Sequence, residues 1–385
     1  MLKILPIAFS LNIMRRTVQS VWKPRNKKTN TYTKNTFLYD RNIPYDQLCI
    51  SAILSRLVYL PREKLLSSSV EACEENPHLI FLLKESLIDD IQKIRPLYLS
   101  ENKIEKIDNK FIESHAIHDV EISLEEIHIQ EQKSNQNHNY IIEQNDKDIQ
   151  GYIWKKDKKI FVVFRGSETK EDWLTNIDVR RRRIGFGPDI LVHSGFCKQF
   201  LSLEEEITHF LDKHKCSYDQ VYFIGHSLGM ACATIATIFY YHYLQVQYTD
   251  KTNLPIIHSH GFGGPRVGNR KFAEFYAEQS ELMKNTWHVI DYKDPVPKVP
   301  FSKRFKHIPY KIMKLGENNN YELIENDVNW YFRPFNMFFF TNIFNLISPH
   351  DISNYINKLK IIYNNKNDKN NKDNKDNKDI RDVKK

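Results

Sequence analysis

Gly225-His226-Ser227-Leu228-Gly229 constrains this chain more than any other stretch of it. The apolar run 220–224 (QVYFI) before these residues predicts a buried strand, and the apolar stretch from Leu228 to about Tyr243 predicts a helix. A serine between the two lies on a sharp strand-to-helix turn, in a strained backbone that only flanking glycines leave room for. Such a nucleophile elbow lifts the hydroxyl above the sheet. It also sets a helix N-terminus beneath it, where backbone N–H groups can stabilise an oxyanion.

The surrounding pattern supplies the layers this turn needs. Residues 160–165 (IFVVFR) read as a buried strand, and further strands are expected at 256–263 and 286–291. Phe196, Phe200, Leu203, Ile207, Phe210 and Leu211 recur at helical spacing, and Ile50, Ile53, Leu54, Leu57 and Val58 share one helical face ended by Pro61. Strands alternating with helices predict an α/β fold with a mostly parallel central sheet flanked by helices. With 385 residues, 41% of them hydrophobic, the chain can build such a core. Residues 62–150 are the least readable part and read as insert-rich, with a polar loop from Glu131 to Asn139.

A serine hydroxyl is a weak nucleophile and needs a base and a group that orients the base. On this fold they follow in the order serine, acid, histidine. Two acids compete, Asp291 and Asp294, and two histidines, His307 and His350. Asp291 reads as the end of its strand, and His307, among Lys303, Arg304 and Lys306, as a surface residue. His226 reads as a packing and orienting side chain, and His193, His258, His260 and His288 as core or supporting histidines. The five cysteines are too scattered for a disulfide framework or a zinc site, and no carboxylate–histidine spacing suggests a metal.

Seven blocks in register resemble the class 3, fungal-type triacylglycerol lipase family: FRGSETKEDWLTNID at 164–178, VHSGF at 192–196, GHSLG at 225–229, GFGGPRVGN at 261–269, DPVPKVP at 294–300, HDISNY at 350–355, and the helix near 50–60 as the family's opening helix. The resemblance implies an α/β-hydrolase fold over 40–363 and a serine hydrolase that cleaves carboxylic esters of lipids through an acyl-enzyme, without a cofactor. Carried over by position, it makes Ser227 the nucleophile, Asp294 the orienting acid and His350 the general base. Ser167 and the Leu228 N–H become the oxyanion hole. A phospholipase A or a soluble-ester esterase of the same fold is the nearest alternative; a catalytically inactive membrane-binding scaffold is disfavoured by the intact Ser/Asp/His set. Two departures stand out. Met230 occupies the usual place of a second glycine, and the segment from Trp173 to His193 is short for a long hinged lid.

The net charge of +8 is concentrated at the ends: residues 1–39 carry eight basic and no acidic residues, and 364–385 carry eight basic and five acidic ones. The remainder is slightly acidic, which argues against nucleic acid as a partner. Segment 1–39 has a poor secretory pattern; it suits a disordered arm, an organelle-targeting leader or a membrane-surface segment, and an intracellular location is favoured. The Asn/Lys/Asp tail 364–385 is expected to be disordered. Arg180, Arg181, Arg182 and Arg183 form either a solvated face or a peripheral contact for an anionic membrane surface. The aromatic stretch 330–347 suits core or an acyl-pocket lining, since Arg333, Pro334 and three asparagines disfavour a membrane span.

Overall fold

A computed structural model describes residues 43–59, 92–98, 149–166, 180–300, 304–308, 311–317, 320–324 and 349–365. Its sheet is built on five parallel neighbours: β3 (Lys159–Phe164), β6 (Gln220–His226), β7 (Ile256–Phe262), β8 (Thr286–Asp291) and β9 (Lys311–Leu315). Antiparallel strands extend both edges, β2 (Ile149–Lys156) and β1 (Gln92–Tyr98) on one side and β10 (Tyr321–Ile324) on the other. β3, β6, β7 and β8 match the expected runs to within a residue or two, whereas β9 was not expected. β1 and the start of β2 fall in the stretch that gave no readable pattern.

Alternation along each strand sorts the core into two layers. Ile160, Val162 and Phe164 of β3, with Val221 and Phe223 of β6, face α2 (Ser194–Lys213) and α3 (Leu228–Gln247). Phe161 and Val163, with Tyr222 and Ile224, face α1 (Tyr45–Leu57) and α6, residues 352–365. Every residue of α3 from Gly229 to Tyr240 is buried, because it packs between the sheet and α2. An all-apolar helix is stable in that position alone. Helix α6 continues to residue 365, past the expected boundary at 363. Among the described residues no helix is long and apolar enough to cross a membrane.

The short hairpin of β4 (Arg181–Arg183) and β5 (Leu191–His193) lies apart from the main sheet, so the arginine run is a strand, with Arg180 and Arg183 exposed and Arg181 and Arg182 half-buried. The short helices α4 (Arg270–Ala277) and α5 (Ser280–Lys284) precede β8. The Asn269 side chain caps α4 by accepting from the Phe272 N–H at 2.9 Å.

Candidate active site

In the parallel register Phe164, Gly225 and Gly261 stand side by side, so β3, β6 and β7 deliver their C-terminal ends to one place. Open α/β sheets form their sites at that edge. Ser227 follows β6 and precedes α3 with φ +58° and ψ −130°, a conformation that costs an L-residue roughly 1–3 kcal/mol. The surroundings hold it there: its N–H donates to the Phe262 carbonyl at 3.0 Å, and its own carbonyl accepts from the Met230 N–H at 3.1 Å.

Both flanking glycines are sterically required. A Cβ at Gly225 would lie 2.2 Å from the backbone of Gly229, and one at Gly229 would lie 2.3 Å from the Phe164 carbonyl oxygen. Met230 is accommodated by two further glycines, because a Cβ at Gly261 or Gly264 would fall 2.3 Å or 2.1 Å from its side chain. The missing second glycine of the elbow is thus matched by space on the neighbouring loop.

Asp294 and His350 meet beside the elbow. His350 Nδ1 donates to Asp294 Oδ2 at 2.8 Å, with both side chains almost wholly buried. Asp294 Oδ1 accepts from the Val296 N–H at 2.8 Å, and Oδ2 also accepts from the Tyr355 hydroxyl. The Tyr355 oxygen in turn receives the Asp291 N–H at 3.1 Å, and burial raises its pKa well above the ordinary phenol value, so it stays a donor. His350 Nε2 is buried and has no hydrogen-bond partner among the described residues.

The rival residues are occupied elsewhere. Asp291 ends β8, accepts from the Lys293 N–H at 2.9 Å and pairs with Lys358 of α6. His307 is not at the surface, contrary to expectation. It is buried, its Nε2 donates to the Pro297 carbonyl at 2.6 Å, and desolvation lowers its pKa to about 3. The backbone, not the neighbouring lysines and arginine, decides its position.

His193, His260 and His288 are buried, and burial lowers His258 to about 4. Within them, His260 Nδ1 bonds Ser51 of α1 at 2.8 Å, and His288 Nε2 accepts from the Gly264 N–H at 3.1 Å. His226 lies against His350: its ring stacks on that of His350 with centroids 4.6 Å apart, and its Nε2 donates to the His350 carbonyl at 2.8 Å. Ser167, the 330–347 stretch and residues 173–179 of the segment expected to lack a long lid lie outside the described residues. Gly166 is described, and a Cβ there would come 3.2 Å from Ser227 Cβ, so β3 leads to the serine. Among the described residues no group of His, Cys, Asp or Glu is arranged to hold a metal ion.

Two contributors were missed at the sequence level, Tyr59 and Tyr355. Ile352, Tyr355, Ile356 and Leu359 recur at helical spacing on the buried face of α6. A tyrosine on such a stripe needs a partner for its hydroxyl, and that was the available signal.

A serine raised on the turn between a central parallel strand and an apolar helix, with a buried histidine–aspartate pair next to it, defines the α/β-hydrolase fold. The family model of class 3 lipases matches residues 161–304. Over those residues, somewhat more than a third of the chain, it is similar to class 3 lipases. It is 30% identical over 145 residues to the secreted mono- and diacylglycerol lipase 1 of Fusarium solani, covering 37% of this chain and 40% of that one. It is 28% identical over 182 residues to the chloroplastic phospholipase A(1) DAD1 of Arabidopsis thaliana, covering 42% and 37%. The matched part is therefore about two-fifths of the length of these relatives. In fold, the chain resembles the triacylglyceride lipase of Rhizomucor miehei, with a TM-score of 0.51 at 17% identity, covering 75% of this chain and 89% of that structure.

Proposed function

We propose that this protein hydrolyses carboxylic esters of lipids through an acyl-enzyme, with Ser227 as nucleophile, His350 as general base and Asp294 as its orienting acid. The observation that carries the reading is the buried His350–Asp294 pair beside a serine held at positive φ. Asp294 keeps the proton on Nδ1, which leaves Nε2 with the lone pair a base requires. His350 takes the Ser227 proton as Oγ attacks the ester carbonyl carbon. The developing oxyanion is held by the Leu228 N–H at the start of α3 and by Ser167. Collapse breaks the ester bond and the alcohol leaves with the proton from His350. Water, deprotonated by His350, then attacks the acyl carbon, frees the fatty acid and returns the proton to Ser227.

Similarity to a mono- and diacylglycerol lipase favours neutral glycerides as substrate; similarity to a phospholipase A(1) favours a second reading, cleavage of a phospholipid acyl ester. The exposed arginines Arg180 and Arg183, with Arg181 and Arg182 between them, suit an anionic lipid surface in either case. Fatty-acid release from mono-, di- and triacylglycerol, phosphatidylcholine and a soluble short-chain ester tests the readings together. Glyceride turnover above phospholipid turnover supports the first, the reverse order the second, and hydrolysis of the soluble ester alone would overturn both.

A further inference from the structure

Tyr59 lies just beyond the C-terminus of α1, far in sequence from the catalytic candidates, yet its hydroxyl reaches two of the segments that build the site. The Gly166 N–H donates to Tyr59 Oη at 3.1 Å, and Tyr59 Oη lies 3.1 Å from His226 Nδ1. The proton positions along this path follow from one fixed end. The His350 carbonyl can only accept, so His226 Nε2, 2.8 Å away, carries the hydrogen. In a neutral imidazole Nδ1 is then the acceptor, so Tyr59 must donate to it, and the oxygen of Tyr59 is left to accept from Gly166. Every bond in the series has one allowed direction.

We infer that Tyr59 and His226 form a positioning relay that ties the strand leading to the oxyanion hole to the loop carrying the base, across the elbow between them. The relay joins four separate parts of the chain: Gly166 just past β3, Tyr59 just past α1, the elbow at His226, and the start of the last helical segment at His350. The close fit at Gly166 supports it. A Cβ there would lie 2.2 Å from Tyr59 Oη and 2.9 Å from the His226 carbonyl, so the strand end is pressed onto the relay. The His226 ring also supports the face of His350, and the Tyr59 ring meets His226 edge-on at 6.0 Å. Burial raises the Tyr59 pKa, which keeps its hydroxyl protonated as the series requires.

The inference rests on the proposed roles of Ser227 and His350, and the test separates the two. Tyr59→Phe removes one oxygen and keeps the ring. On p-nitrophenyl butyrate it should lower kcat about 10- to 100-fold with KM within about twofold, because displaced groups lose transition-state contacts and not substrate binding. His226→Ala should do the same, and the double variant should be no worse than the poorer single one. His226→Gln, whose amide can donate to the His350 carbonyl and accept from Tyr59, should recover most of the kcat lost in His226→Ala, but only when Tyr59 is present. If Tyr59→Phe does not fold, the comparison of His226→Gln with His226→Ala decides alone, and equal kcat for the two would overturn the relay. So would Tyr59→Phe with wild-type kcat, or losses that multiply. Ser227→Ala, measured alongside, should be inactive. If it is inactive while Tyr59→Phe matches wild type, the relay fails and the catalytic reading stands; if it is active, both fall.

Discussion

Asp291 and Asp294 are three residues apart and both buried, and exchanging each for its amide should separate their roles cleanly. At position 294 the direction of the new amide is set by its neighbours. The Val296 N–H, a fixed backbone donor 2.8 Å from Oδ1, holds the amide oxygen there, whereas the Tyr355 hydroxyl at Oδ2 can rotate and accept, so the NH2 takes the place of Oδ2. It then points at His350 Nδ1, 2.8 Å away, and His350 can answer only by presenting a lone pair at Nδ1 and moving its proton to Nε2. A histidine in that tautomer cannot take the proton of Ser227. Asp294→Asn should therefore lower kcat by roughly 10⁴, the scale set by the wrong tautomer in serine triads. Asp291→Asn instead weakens the ion pair to Lys358, whose side chain is 25% exposed, so solvent screens part of the loss. A cost of about 1–2 kcal/mol corresponds to a melting temperature lower by roughly 1–3 °C in a chain of this size. Its kcat on a soluble ester should remain within about threefold. Steady-state kinetics paired with thermal melts by circular dichroism gives both numbers. Asp294→Asn keeping more than about a tenth of kcat, or Asp291→Asn losing more activity than Asp294→Asn, would refute the reasoning.

Three further outcomes are expected. Gly229→Ala should lose activity and stability together, because its Cβ meets the Phe164 carbonyl at 2.3 Å and neither strand nor elbow can yield; wild-type kinetics would show that the elbow is looser than described. Tyr355→Phe leaves the Asp291 N–H without its acceptor and takes one donor from Asp294, a loss of about 2–4 kcal/mol by denaturant unfolding; a change under about 0.5 kcal/mol would contradict it. Stability should also fall on acidification. His307, His258 and His242 are held near pKa 3, 4 and 4 in the folded state, against about 6.5 unfolded, so their contribution is complete above pH 6.5 and is lost as pH falls toward 4. Each adds a slope of about 1.4 kcal/mol per pH unit in that window, and a melting temperature unchanged between pH 7 and 5 would exclude it.

The parallel centre of the sheet was legible because both of its faces are covered. IFVVF and QVYFI are continuous apolar runs, which no half-exposed strand affords. The edge strands were not. QKIRPLY and YELI, and the parallel run KIMKL of β9 just inside the edge, mix lysine, arginine and glutamate with apolar residues, and in sequence they read no differently from loops. The elbow could be read in full because its glycines answer to local sterics. His307 could not, since its burial depends on a carbonyl in another loop and its sequence neighbours are basic. Tyr59 and Tyr355 show the same limit. Each is an ordinary tyrosine locally, and only the packing of α1 and α6 on one face of the sheet brings their hydroxyls to Gly166, His226 and Asp294. The departure at Met230 became explicable only with Gly261 and Gly264 beside it.

The central claim is that Ser227 is an activated nucleophile, and covalent labelling tests it without any assumption about the substrate. A fluorophosphonate captures a serine only where a base and an oxyanion site act on it. Incubated with the wild-type protein, it should add one phosphonyl group, and peptide mass spectrometry should locate that group on Ser227. Ser227→Ala should take up none, and Asp294→Asn should label slower by orders of magnitude. Labelling of another serine, or undiminished labelling of Ser227→Ala, would contradict the account.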